Sequence, residues 1–165
     1  EAVRRVLGGD PALARQVVSI TMAIDEADIE ANLRHPRMMV GSDGIPDLRG
    51  NPHPRLFGTF PRVLARYVRE RAVLPLEEAV HRMTGLPGER FGLAGRGRVA
   101  EGWWADLVLF DPATVTDTAT YDDPQREPEG VACVVVNGEV VVDGGRHTGA
   151  RPGRVLRSGD EHLPA

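Results

Sequence analysis

The run Val17-Val18-Ser19-Ile20-Thr21-Met22-Ala23-Ile24 constrains the fold more than any other feature of the chain. It is rich in β-branched residues and almost wholly apolar, which predicts a strand buried on both faces. Strands of that kind belong to parallel sheets covered by helices. The following residues agree. Asp25 is placed to cap a helix, with Asp28 three residues on, and Ile29 and Leu33 share one helical face. Pro36 stops the helix. Met38-Met39-Val40 reads as a second short apolar strand, closed by the turn Gly41-Ser42-Asp43-Gly44. Residues 17–24 and 38–41 are expected to be adjacent parallel strands with a right-handed helical crossover.

Residues 1–16 are expected to form a helix and a turn. A polar, Pro-rich loop is expected from Ile45 to about Gly58. Thr59 and Pro61 are expected to open a helix whose apolar stripe is Val63, Leu64, Tyr67 and Val68. Another helix should start at Pro75 and run through Ala79, Val80 and Met83 to Gly85. After Gly92 the pattern changes. Glycine becomes frequent, Leu107-Val108-Leu109-Phe110 reads as a strand, and Asn137-Gly138 separates two valine runs. Asn-Gly there predicts a hairpin, because both residues tolerate positive φ. The reading is α/β: residues 1–92 form strand–helix units, residues 93–157 a small β-domain, and residues 158–165 a disordered tail.

Charge and cysteine content narrow the function. The chain carries 20 basic and 24 acidic residues, a net charge of −4, and all its basic residues are Arg. An acidic chain attracts neither nucleic acid nor an anionic membrane. No apolar run approaches the roughly 20 residues that span a bilayer, and no signal peptide is visible. The single Cys133 cannot form an internal disulfide, and its apolar neighbours predict a packed core thiol. A reducing cytoplasm fits. Because the chain opens at Glu1 without Met, a longer parent is expected.

Asp43 is the leading candidate for chemistry. It stands just past the end of an apolar strand, where parallel α/β folds gather catalytic groups. A carboxylate there can bind a metal or act as a general base, although Ser-Asp-Gly is also a common turn. His53 and Arg55 lie on the loop that follows, and could shape that loop or bind substrate. The remaining histidines, His35, His81, His147 and His162, are scattered. Gly95-Arg96-Gly97-Arg98-Val99-Ala100 fits a loose dinucleotide pattern but opens no helix, so it reads as a chance match. Asp106 and Asp111 are expected to fix turns. Trp103 and Trp104 are expected to pack between the two halves. The helix bearing Arg62, Arg66, Arg69 and Arg71 reads as a solvated face with some ion pairs.

The order of these motifs resembles a known family. His53-Pro54-Arg55, Thr59-Phe60-Pro61-Arg62 and Ser42-Asp43-Gly44 stand beside Gly97…Gly102 and Ala105-Asp106-Leu107-Val108. The hairpin at Asn137 and Thr148-Gly149-Ala150-Arg151-Pro152-Gly153 complete the series. Over about residues 17–157 this is similar to the C-terminal portion of the N-acyl-D-amino-acid deacylases (D-aminoacylases) of the amidohydrolase superfamily. The Gly-rich and Ala-Asp-Leu-Val segments are specific to the superfamily, and the Ser-Asp-Gly, His-Pro-Arg and Thr-Phe-Pro-Arg segments to the deacylase branch.

The resemblance implies the last two βα units of a (β/α)8 barrel followed by part of a small β-sandwich. It implies a zinc-dependent parent enzyme acting on a small N-acyl-D-amino acid. Asp43 matches the acid–base residue beside the metal, where zinc lowers the pKa of bound water to roughly 7, and it is a weaker candidate as a metal ligand itself. Arg55, with His53, is a candidate for the substrate carboxylate. The family's His-x-His is absent from this chain, so the chain alone is expected to bind no zinc tightly and to be inactive. The competing readings are an amidohydrolase for a cyclic amide or ureide, and a non-catalytic module that associates with other chains. Exposed strand edges leave self-association open.

Overall fold

A computed structural model of the chain describes residues 24–45 and 52–157. The expected strand at 17–24, save Ile24, the expected helix at 1–16 and the tail at 158–165 lie outside the described residues.

Helix α1 spans Glu26–Arg34. Asp25 caps it as its sequence requires: the side chain accepts from Ala27 N at 3.0 Å. Leu33 is buried, and Ile29, one turn back on the same face, packs against the core. The helix ends before Pro36, with His35 N bonded to Asn32 O.

Met38–Val40 forms no strand among the described residues, contrary to the sequence reading. The N–H of Val40 is spent on the carbonyl of Arg82, at 3.2 Å, rather than on a ladder. Met38 and Val40 still pack against the core.

Helix α2, Arg55–Arg62, begins earlier than Thr59, so the expected loop is shorter. His53 Nδ1 accepts the Arg55 N–H and starts the helix there. Pro61 then falls inside it. Proline lacks the N–H that an α-helical interior needs. The chain continues directly as a π-helix over Val63–Glu70, whose end is marked by Arg71 N bonding to Arg66 O. This wider turn re-phases the backbone just past the proline. Helices α3, Leu76–Met83, and α4, Gly85–Arg90, follow, with Pro75 at the N-cap of α3 as expected.

The second half is a four-stranded antiparallel sheet in chain order: β1 Leu107–Phe110, β2 Val131–Val136, β3 Glu139–Asp143 and β4 Arg146–His147. The β2–β3 turn is the expected hairpin, with Asn137 at φ 49° and Gly138 at φ 85°. A long connection, residues 111–130, leaves β1, runs back to the helices and returns to β2. It contributes Val115 to the core formed by Leu33, Val63, Leu64, Tyr67, Leu74 and Ala79. Phe110 and Val131 flank that core from the sheet.

One expectation is corrected here and one is met. Cys133 is half-buried on β2 rather than a core thiol. The Arg face that begins at Arg62 and runs along the π-helix is the expected solvated face with ion pairs. Arg62 pairs with Asp117 at 3.0 Å, Arg66 with Glu26 at 3.0 Å, and Arg71 Nε with Glu30 at 2.6 Å. Arg69 donates to the Val115 carbonyl at 2.7 Å. These arginines tie the π-helix to α1 on one side and to the 111–117 segment on the other. Arg66 and Arg71 hold the Glu26 and Glu30 carboxyls below the usual range.

Asp106 and Asp111 do fix turns. Asp106 accepts the Asn137 N–H at 2.8 Å, and Asp111 accepts from Ala113 N at 2.8 Å and Thr114 Oγ1 at 3.0 Å. Trp104 lies against the guanidinium groups of Arg96 and Arg154. No helix among the described residues is long and apolar enough to cross a membrane.

Candidate functional site

The three residues singled out by sequence, Asp43, His53 and Arg55, come together at the start of α2. Asp43 sits in the turn after Gly41 with φ 49°, a left-handed conformation uncommon for a residue with a side chain. Ser42 Oγ accepts the Gly44 N–H at 3.2 Å and tightens this turn. Gly44 lies against Leu56, so close that a Cβ would stand 3.0 Å from Leu56 Cδ1. The turn is thereby pressed onto the first turn of α2.

Across that contact, Arg55 Nη2 meets Asp43 Oδ2 at 3.1 Å. The Asp43 side chain is 82% exposed and the Arg55 side chain 36%. An ion pair this open to water contributes little stability, roughly 0–1 kcal/mol. It aligns two groups more than it holds the fold together. Arg55 Nε, in contrast, is buried and has no hydrogen-bond partner among the described residues. Its terminal Nη2 reaches the open Asp43 carboxylate.

His53 completes the group. Its Nδ1 accepts the Arg55 N–H at 3.0 Å, so the neutral ring carries its proton on Nε2. Nε2 faces the Tyr121 hydroxyl at 3.4 Å, and the two rings meet edge to face with centroids 5.3 Å apart. Burial, and then the Arg55 charge, lower the affinity of His53 for a proton; Asp43 pulls the other way.

Sequence reasoning missed Tyr121 and Asp117. Both belong to the long β1–β2 connection and reach back onto α2. Asp117 pairs with Arg62 and lies beside Gly58, where an added Cβ would stand 3.2 Å from Asp117 Cβ. The only local signal was an aromatic residue in an otherwise polar stretch, Thr120-Tyr121-Asp122.

A metal requires more than this cluster offers. Catalytic zinc takes about three protein ligands. Among the described residues no three His, Cys, Asp or Glu side chains gather around one point. Asp43, the single candidate, is turned to Arg55. The described residues therefore do not make a zinc site by themselves.

Comparison with known proteins puts this geometry in context. The model of the amidohydrolase family matches residues 4–142. A D-aminoacylase of Alcaligenes xylosoxydans xylosoxydans is 52% identical over 139 residues, covering 84% of this chain and 28% of the relative. An N-acyl-D-aspartate deacylase of the same organism is 47% identical over 156 residues, covering 93% of this chain and 31% of the relative. A crystal structure of D-aminoacylase superposes with a TM-score of 0.77 at 50% identity, covering 81% of this chain and 28% of that one. The structure of an N-acyl-D-glutamate deacylase from Bordetella bronchiseptica, complexed with zinc and a phosphonate mimic of the tetrahedral intermediate, also superposes at 0.77. There the identity is 45%, over 94% of this chain and 33% of that one. The chain thus spans about a third of the length of the relatives it matches. The extent of the family match makes the assignment: this chain belongs to the amidohydrolase family, as part of the length of a protein similar to the D-aminoacylases.

Proposed function

We propose that this chain is the C-terminal portion of a zinc-dependent hydrolase that cleaves the amide bond of N-acyl-D-amino acids. The observation that carries the reading is Asp43, an exposed carboxylate in left-handed backbone, aligned by Arg55 at 3.1 Å. Unusual backbone at a residue that adds little to stability is a mark of functional positioning. The names of the relatives at 47–52% identity point to the substrate class.

In this reading residues 1–92 supply the last two βα units of a (β/α)8 barrel, and residues 93–157 part of a small β-sandwich. Asp43 is the acid–base residue. It takes a proton from the attacking water as the tetrahedral intermediate forms, then returns it to the amine as the C–N bond breaks. Arg55 carries the planar pair of donors that suits the substrate's α-carboxylate, and neutral His53 sits at its base. In this reading the zinc ligands lie outside the described residues, and the isolated chain should hold no stoichiometric zinc and turn over nothing.

The test uses the intact protein that contains this chain. It should release D-amino acids from N-acetyl-D-amino acids and leave cyclic amides and ureides untouched. Asp43→Asn should lower kcat by about 10²–10⁴ with an unchanged thermal melt. Hydrolysis of the cyclic substrates alone would overturn the substrate assignment. A near-normal kcat in Asp43→Asn would remove Asp43 from the mechanism.

A further inference from the structure

Resting on the deacylase reading, we propose that the aromatic ring of Tyr121, on the connection between β1 and β2, is a positioning residue that sets His53 and through it the Arg55 guanidinium. The contact spans 68 residues of sequence. It joins the loop that carries the candidate site to a segment of the small β-domain.

Three observations converge. The Tyr121 and His53 rings stand 82° apart at 5.3 Å, the edge-to-face arrangement that aromatic quadrupoles favour. The hydroxyl lies 3.4 Å from Nε2, at the long end of the hydrogen-bond range, and the positioning is assigned to the ring. The opposite nitrogen, Nδ1, accepts the backbone N–H of Arg55, the residue that aligns Asp43. His53 is therefore held between two partners, and a change at one is felt at the other.

The segment bearing Tyr121 is itself well seated. Asp117 pairs with Arg62 and packs beside Gly58, and Thr118 Oγ1 donates to the Glu127 carbonyl at 2.6 Å. Thr116 and Glu129 form an antiparallel bridge. The loop is thus anchored before and after Tyr121, and brings the ring against His53.

A substrate held by Arg55 feels this arrangement in binding more than in proton transfer. In the intact enzyme Tyr121→Ala should raise KM for N-acetyl-D-amino acids about tenfold and leave kcat within about threefold. Tyr121→Phe, which keeps the ring, should restore both. In a His53→Ala background Tyr121→Ala should add nothing further, because the two act as one unit. Should Tyr121→Ala fail to fold, Tyr121→Leu keeps the apolar bulk and carries the same expectation. A crystal structure of the Ala or Leu variant gives a readout that needs no activity: the His53 ring should be turned away from the Arg55 N–H. An unmoved ring, an unchanged KM, a loss confined to kcat, or a Phe variant as impaired as Ala would each overturn the proposal. Failure of the deacylase reading would show differently, as absence of turnover in the unsubstituted protein.

Discussion

Arg82 Nη1 donates to the carbonyl of His35 at 2.8 Å, joining the end of α1 to the last turn of α3. The same nitrogen reaches the Leu33 carbonyl, and Nε meets Glu78 at 2.6 Å. The carbonyl of Arg82 in turn accepts the Val40 N–H. One residue, 4% exposed, therefore closes the C-terminus of α1 and fixes the backbone just upstream of Asp43.

Carbonyls at a helix C-terminus are left unpaired by the helix itself and need an outside donor. A buried guanidinium supplies several donors at once, and hydrogen bonds to a charged group each contribute about 1.5–3 kcal/mol. Arg82→Met keeps much of the apolar stem and deletes every donor. It should lower stability by about 2–4 kcal/mol, read from the urea midpoint. Arg82→Lys should recover only part of this, since an ammonium cannot reproduce the planar fork. A midpoint unchanged in Arg82→Met would show that the contacts to Leu33 and His35 carry no weight.

The features legible in sequence are those whose physics is local. The cap at Asp25 and the Asn137-Gly138 hairpin depend on residues within a few positions, and both stand in the structure. Asp43 was singled out through its position and family resemblance. The Arg face carries the expected ion pairs, but sequence does not name their partners because these are remote: Arg62 and Asp117 are 55 residues apart, Arg66 and Glu26 40. Tyr121 was invisible for the same reason. Cys133 shows another limit: an apolar run predicts a strand, whereas burial depends on what covers the sheet. Met38–Val40 reads as a strand by composition, yet the Val40 N–H bonds to the Arg82 carbonyl rather than to a ladder.

Gly130 marks where the long connection comes back to the sheet. Its φ is 77°, and a Cβ there would stand 2.4 Å from Val115 N. The neighbouring bridge between Thr116 and Glu129 leaves the two strands of backbone no room to part. Left-handed backbone alone costs a residue with a side chain roughly 1–2 kcal/mol. Gly130→Ala should exceed that, because Val115 is part of the core and must shift. Gly138→Ala is the control: its φ is 85° but no atom lies within 4 Å of the added carbon. Its loss should stay at the left-handed cost. Equal shifts in Tm for the two variants would show that the close approach to Val115 is unimportant.

His53 offers a direct probe of the site's electrostatics. Burial is the largest influence on its imidazole, followed by the positive charge of Arg55, and both disfavour protonation. Asp43 favours it. Histidine NMR should therefore find His53 titrating below the roughly 6.5 of an unperturbed imidazole. Arg55→Gln should move the midpoint up without restoring it fully, since burial remains. Asp43→Asn should move it further down, because the one favourable charge is gone. The sign for stability follows from proton counts. Below about 6.5 the unfolded chain binds a proton that the folded one resists, so the contribution of neutral His53 is complete above that pH. It is lost as pH falls through the window down to the depressed folded value. A His53 midpoint indifferent to both substitutions would mean that Asp43, Arg55 and His53 do not sense one another.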